Sequence, residues 1–279
     1  MLNRVLVAYA RLPEHPTKYR VIRWLGRWAF PAEGVVLDVD HGIRMHLHPR
    51  DWIEYEILRG NPYEPQTLEF LSRNIQPGDS VLLTGVNNGM HVISAARAVG
   101  ANGCVIGVEP QPAALLRAQK NIDLNGVAGV VRLVAAAVGH EAGLAPMPWS
   151  SSENSGAVSL LDSGPGFVVP LLPLSTVIEA LCPGPLRLML LDVQGYEVPA
   201  LKGLGRGRLP ALLIVEDGAE WLDKAGSSRQ ELYGQMSAMG YQLHDLFGTR
   251  MTPDGPLPHE ANIVGVRPDA AVRWLAPGR

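Results

Sequence analysis

Residues 81–89 read VLLTGVNNG: an unbroken apolar run, Val81-Leu82-Leu83, then Thr84, then two glycines, Gly85 and Gly89, four residues apart. An apolar run closed by turn residues marks a buried strand, and bare glycine lets its end approach a neighbour closely. A phosphate-binding loop would carry Lys followed by Ser or Thr, and a dinucleotide site would carry GxGxxG; this stretch has neither. Asn87 and Asn88 suit a turn, because asparagine tolerates left-handed backbone.

Working outward, the chain alternates strand and helix, the pattern of a parallel sheet covered on both faces. Val92, Ala95, Ala96 and Val99 share one face of a helix ended by Gly100. Strands follow at 104–108, 130–137, 186–191 and 211–215, and helices at 112–124, 196–204 and 228–239. Residues 241–247 and 262–267 are expected to pair as an antiparallel hairpin at the sheet edge. Residues 141–170, rich in Ser, Gly and Pro, show no period and are expected to form a long functional insertion.

Upstream, 35–39 and 44–47 flank Asp40-His41-Gly42 as a hairpin, and helical patterns cover 51–59 and 65–75. Two units are expected: residues 1–76, an N-terminal arm, hairpin and helices packed on the core, and residues 77–279, the main α/β domain. The fold class is α/β, a Rossmann-like doubly wound and mostly parallel sheet with an antiparallel edge hairpin and an N-terminal helical extension.

With 279 residues, 47% of them hydrophobic, the chain can bury a large core. A net charge of -3 with 18% charged residues leaves no global basic field, which argues against a nucleic-acid partner. Cys104 and Cys182 stand apart without metal-ligand spacing, so a reducing cytoplasm is expected. Residues 1–30 differ: Arg4, Arg11, Lys18, Arg20, Arg23 and Arg27 face a single acid and are interleaved with Tyr19, Trp24, Trp28 and Phe30. Two readings stand for this arm, contact with an anionic membrane surface or lipid-linked substrate, and packing against the domain or a second subunit. Oligomeric state is not legible.

In an open doubly wound sheet, ligands sit beyond the carboxyl ends of the strands. That rule selects Gly85 to Gly89, Glu109, Ala135 to Ala137, Asp192 and Glu216. Glu109 follows Gly89 by 20 residues at the tip of the next strand, where a carboxylate takes both hydroxyls of a ribose. An adenosine-containing ligand without a pyrophosphate follows; the alternative is a solvated acid at the helix start.

These residues resemble the FkbM family of class I S-adenosylmethionine-dependent methyltransferases over roughly residues 43–266. The resemblance lies in Pro62-Tyr63-Glu64-Pro65 ahead of Pro77-Gly78-Asp79, the glycine turn with Asn87, Val108-Glu109-Pro110, Asn121 to Gly126, and Leu190-Leu191-Asp192-Val193-Gln194-Gly195-Tyr196-Glu197 leading to Leu201-Lys202-Gly203. It implies a seven-stranded sheet, S-adenosylmethionine as cofactor, and a hydroxyl acceptor on a sugar, glycolipid or natural product. It implies that Gly85, Val86, Asn87 and Gly89 line the methionine end, that Glu109 and Pro110 hold the ribose side, and that Tyr63 and Glu64 pack nearby. Two positions depart from the family pattern. Leu83 stands where D-x-G-A-N has its Asp, and Gln194 replaces the first Glu of I-D-V-E-G-x-E.

Methyl transfer to a hydroxyl needs alignment of donor with acceptor and removal of a proton. Asp192 is the first candidate base and Glu216 the second, with Asp217 adjacent and His91 in the following helix as a third candidate. Alternatively Asp192 caps the turn at Val193-Gln194-Gly195, and His91 is a packing residue. His46 and His48 share a strand face without a third ligand, and no metal centre is expected. Trp149 with Ser150 to Ser155, including Glu153 and Asn154, is either the acceptor wall or a loop anchored on the core. A methyltransferase fold that has lost its cofactor and serves as an interaction protein is the alternative function.

Overall fold

The computed structural model describes residues 2–13, 15–31, 34–39, 42–61, 63–149, 158–258 and 261–276. Pro62, Asp40, His41 and residues 150–157, with Glu153 and Asn154, lie outside them.

The chain opens with α1 (Leu2–Ala10) and α2 (Lys18–Ala29), then β1 (Val35–Asp38) paired antiparallel with β2 (Arg44–Leu47). Next come α3 (Trp52–Leu58) and α4 (Pro65–Asn74). Each starts for a local reason: Asp51 accepts a hydrogen bond from the Glu54 amide, and Pro65, whose missing N–H costs nothing there, occupies the first turn.

The main sheet is built from β3 (Ser80–Thr84), β4 (Cys104–Val108), β5 (Val131–Val134), β9 (Leu186–Leu191), β10 (Leu212–Glu216), β11 (Gln242–His244) and β12 (Asn262–Val266). Between β5 and β9 run β6 (Ala137–Val138), β7 (Gly143–Pro148) and β8 (Gly166–Leu172). The helices of this part are α5 (Met90–Val99), α6 (Pro112–Leu124), α7 (Leu174–Leu181), α8 (Glu197–Leu204), α9 (Ala219–Lys224) and α10 (Arg229–Ala238). Strand order is β11-β12-β10-β9-β3-β4-β5, with β12 antiparallel to both neighbours. Strand order therefore reverses between β3 and β9, which places a crevice at their carboxyl ends.

Alternation along the strands splits the core in two. Val81, Leu83, Leu188, Leu190, Leu212 and Ile214 pack on one face with α4 and α5. Leu82, Met189, Leu191, Leu213 and Val215 pack on the other with α7, α8 and α10. The first core also takes Leu6, Ile22, Met45 and Tyr55, so the N-terminal elements share it. Asn121 and Asn125, one turn apart on α6, clamp the hairpin: their side-chain oxygens accept the amides of His46 and Arg44.

Three expectations change. The strand expected over 130–137 is two, because the chain leaves the main sheet after Val134 and β6 pairs with β8. The insertion is not without structure: β7 and β8 form an antiparallel hairpin with registers from Gly143↔Leu171 to Pro148↔Gly166. Its outer residues are largely exposed, so backbone pairing holds it and no apolar alternation betrays it. Helices α7 and α9 are additional to those expected. Among the described residues no helix is long and apolar enough to cross a membrane.

Candidate active site

A cavity of about 420 Å³ opens at the crevice, its lining including Tyr63, Glu64, Gly85, Asn87, Glu109, Pro110, Asp192, Gln194 and Glu216. Its size falls within the range of small-molecule sites, roughly 300–1,000 Å³.

The ends of β3 and β9 are fastened together beneath it. Thr84 Oγ1 donates to the Leu190 carbonyl at 3.3 Å and accepts the Asp192 amide at 3.2 Å. Gly85, at φ +70°, lies so close that a Cβ there would stand 2.3 Å from the Asp192 carbonyl oxygen. Only glycine fits.

Glu109 organises the glycine turn. Its Oε2 accepts the Asn87 amide at 3.1 Å and its Oε1 accepts the Gln111 amide at 2.9 Å. Burial pushes its pKa up, and the two amides oppose that. Each oxygen keeps a second lone pair for a ligand hydroxyl. Asn87 itself holds left-handed backbone at φ +48°. Asn88 faces inward, and its carbonyl accepts from Asn121, which ties the turn to α6. Gln111, not singled out from sequence, also donates through Nε2 to the Pro148 carbonyl at 2.9 Å, joining the β4 tip to the β7–β8 hairpin.

At the tips of β9 and β10, Gln194 Nε2 donates to Asp192 Oδ1 at 2.9 Å and to Glu216 Oε2 at 3.0 Å. Carboxylate oxygens of Asp192 and Glu216 lie within 4.8 Å of each other, and burial raises both groups. Burial first, and then the Asp192 charge, push Glu216 up to about 10. Asp192 is also raised by burial, but its hydrogen bonds from Glu216 and Gln194 favour its charged form. Burial thus raises both carboxyls, so the pair holds a proton more tightly than either acid would in water.

The capping role considered for Asp192 belongs to Glu197, whose Oε1 accepts the amides of Val193 at 3.0 Å and Gly195 at 3.2 Å. Burial pushes Glu197 up to about 7. Carboxylate oxygens of Asp192, Glu197 and Glu216 lie within 4.8 Å of one another, a spacing that could hold a cation. The Gln194 amide competes with a cation for two of those three groups.

The remaining sequence candidates are placed less directly. Val86 is buried in the first core and Gly89 packs on Ala118, so both support the turn from behind and neither lines the cavity. His91 does not line it either; its ring lies 5.7 Å from that of Tyr63 and its Nε2 is 3.4 Å from Glu64 Oε2. Burial pushes His91 down to about 4, so it is neutral at neutral pH. Glu64, at φ +43°, carries its carboxylate to the cavity from the start of α4. Leu83 is buried in the sheet core. Trp149, 61% exposed and outside the cavity lining, packs on Phe167 of the β7–β8 hairpin with ring centroids 4.4 Å apart. Asp217 turns away to a buried bond with Arg229 and Tyr233.

The model of the methyltransferase FkbM domain matches residues 84–243, more than half of the chain. The protein belongs to the FkbM methyltransferase family. The FkbM match starts at Thr84, where β3 meets Asp192, and runs through the glycine turn, Glu109 and the Asp192–Gln194 turn to β11. No curated protein matches the sequence. Similar solved structures include an O-methyltransferase from Bacillus cereus in complex with SAH (14% identity, 96% of this chain and 100% of that one, TM-score 0.44). Others are a SAM-dependent O-methyltransferase from Thermotoga maritima (15% identity, 87% and 80% coverage, TM-score 0.44) and the O-methyltransferase TomG from Streptomyces achromogenes, involved in tomaymycin synthesis and solved with SAM (14% identity, 74% and 81% coverage, TM-score 0.43). Likeness at this level says nothing about substrate.

Proposed function

We propose that the protein is an S-adenosylmethionine-dependent O-methyltransferase acting on a hydroxyl of a sugar, glycolipid or natural product. The observation that carries this is the meeting in one cavity of Glu109, bound to the Asn87 amide, and of the Asp192 and Glu216 carboxyls bridged by Gln194.

The residues fit the cofactor. Glu109 offers free lone pairs to both ribose hydroxyls, and the glycine turn leaves bare backbone for the methionine part. Glu64, which reaches the cavity from α4, supplies a carboxylate for the cofactor's ammonium group in place of the Asp that Leu83 lacks. Bound S-adenosylmethionine supplies an activated methyl group. Asp192 takes the acceptor's hydroxyl proton, its charged form favoured by the N–H of Gln194 against the effect of burial. Ile53, Met147, Val158, Leu160, Tyr196 and Trp221, also on the cavity wall, exclude water around the acceptor.

The test is calorimetric titration with S-adenosylmethionine and S-adenosylhomocysteine, on wild type and on Glu109→Ala. Saturable binding lost in the variant supports the cofactor site, and labelled-methyl transfer to hydroxyl acceptors then tests the reaction. Absence of binding by folded protein would favour a methyltransferase fold retained for protein interaction.

A further inference from the structure

The arm α1–α2 has two faces. Leu6, Ala10, Ile22 and Gly26 turn inward and are buried. Outward, α2 exposes Val21, Trp24 and Trp28 at i, i+3 and i+7, with Arg20 and Arg27 beside Trp24 at i-4 and i+3. Trp28 is 77% exposed and Trp24 58%. Leu2 and Val5 of α1, and Leu12 just after it, are exposed as well, with Arg4 and Arg11 among them. Large apolar side chains in water need an explanation when they line one face of a helix, as Val21, Trp24 and Trp28 do on α2.

Charge says which partner covers this face. Arg4, Arg11, Arg20 and Arg27 are exposed here while Lys18 is buried, and residues 1–30 hold one of the chain's 27 Asp and Glu, so a local excess of cations sits on a protein of net charge -3. Two copies docked face to face by a two-fold axis would oppose arginine to arginine. A surface of anionic lipid headgroups neutralises them instead, while tryptophan rings settle at the boundary between headgroup and acyl chain. Neither helix can span a bilayer, at 9 and 12 residues.

We propose that the α1–α2 face docks the protein flat on an anionic lipid bilayer, with Trp24 and Trp28 inserted at the interface and Arg4, Arg20 and Arg27 paired with headgroups. The arm lies near the cavity: Tyr19 of α2 meets Trp52 of α3 edge-on with centroids 5.1 Å apart, and the next residue, Ile53, lines the cavity. The proposal does not depend on the methyltransferase assignment.

The experiment is cosedimentation of the full chain with vesicles of phosphatidylcholine alone and with phosphatidylglycerol added, at low and high salt. Binding is expected only to the anionic vesicles, weakened by salt, with tryptophan emission shifted to the blue. Arg20→Gln with Arg27→Gln should weaken it roughly thirty-fold. Trp24→Ala with Trp28→Ala should abolish the spectral shift. All four substituted side chains are exposed, so circular dichroism should match wild type. Folded wild type that stays in the supernatant overturns the proposal, as does equal binding to neutral vesicles. A dimer in sedimentation velocity that the Trp28→Ala variant dissociates would assign the face to a second copy and overturn it equally.

Discussion

Gln194 bridges Asp192 and Glu216 with a single amide nitrogen, 2.9 Å from one carboxyl and 3.0 Å from the other. Its backbone is left-handed, at φ +51°, and Gly195 follows at φ +96°. The departure from the family's glutamate thus has a physical consequence. A third carboxylate here would face two buried acids, whereas an amide N–H satisfies both.

Gln194→Glu should therefore lower stability by about 2–3 kcal/mol in mildly alkaline buffer and by less in acid, where the added group takes a proton. Urea denaturation at the two pH values checks this, and equal losses in both buffers would count against the account.

Asp192→Asn should reduce methyl transfer by roughly 10²–10⁴ while leaving S-adenosylhomocysteine affinity unchanged. Glu216→Gln leaves the Asp192 carboxylate and its bond from Gln194 in place, so its loss should be about tenfold or less. Single-turnover rates beside calorimetry separate the two; a larger loss in Glu216→Gln would reverse the assigned roles.

Gly85→Ala places a methyl against the Asp192 carbonyl and forces an unfavourable φ, for an expected cost of about 3 kcal/mol. Gly126 makes the control, since its φ is +69° and a Cβ there meets nothing within 4 Å. Gly126→Ala should cost about 1 kcal/mol. Thermal melts of both variants would show whether crowding adds to the conformational cost.

Glu54 supplies a pH dependence. Burial pushes it up to about 7 from 4.5, although Arg117 Nε lies 3.5 Å from its Oε1. A raised acid pKa means that the folded state binds the proton more tightly. The destabilisation from Glu54 is absent below about pH 4.5, grows as pH rises, and is complete above about 7, at about 3 kcal/mol. Glu197, also raised to about 7, adds to this fall in stability and His91, with its lowered pKa, opposes it in an overlapping window, so the wild-type profile alone does not isolate Glu54. The difference between wild type and Glu54→Gln, measured by denaturation across that range, should show the fall; a flat difference would sink the assignment.

His91→Phe keeps the packing on Tyr63 and removes a ring that is already neutral. The pH–rate profile should keep its shape around neutrality; loss of an inflection there would restore His91 as a proton carrier.

The alternation of apolar strands with one-faced helices, the glycine turn and the spacing from Gly89 to Glu109 are local patterns, written in sequence order. They determined the parallel sheet, the crevice at its carboxyl ends, and Gly85, Asn87, Glu109, Asp192 and Glu216 as its contents. What escaped the sequence depends on contacts between segments distant along the chain. The β7–β8 hairpin has exposed faces and is held by backbone pairing, so no hydrophobic period announces it. Val86, Gly89 and His91 lie in or beside the same motif as Asn87, yet the turn sends them behind the cavity wall. Tertiary structure alone decided that Glu197 caps the Val193–Gly195 turn and that Gln194 joins Asp192 and Glu216 in a buried pair whose burial raises both carboxyls. A proton's place follows from burial and the nearest charge, and both are properties of the folded chain.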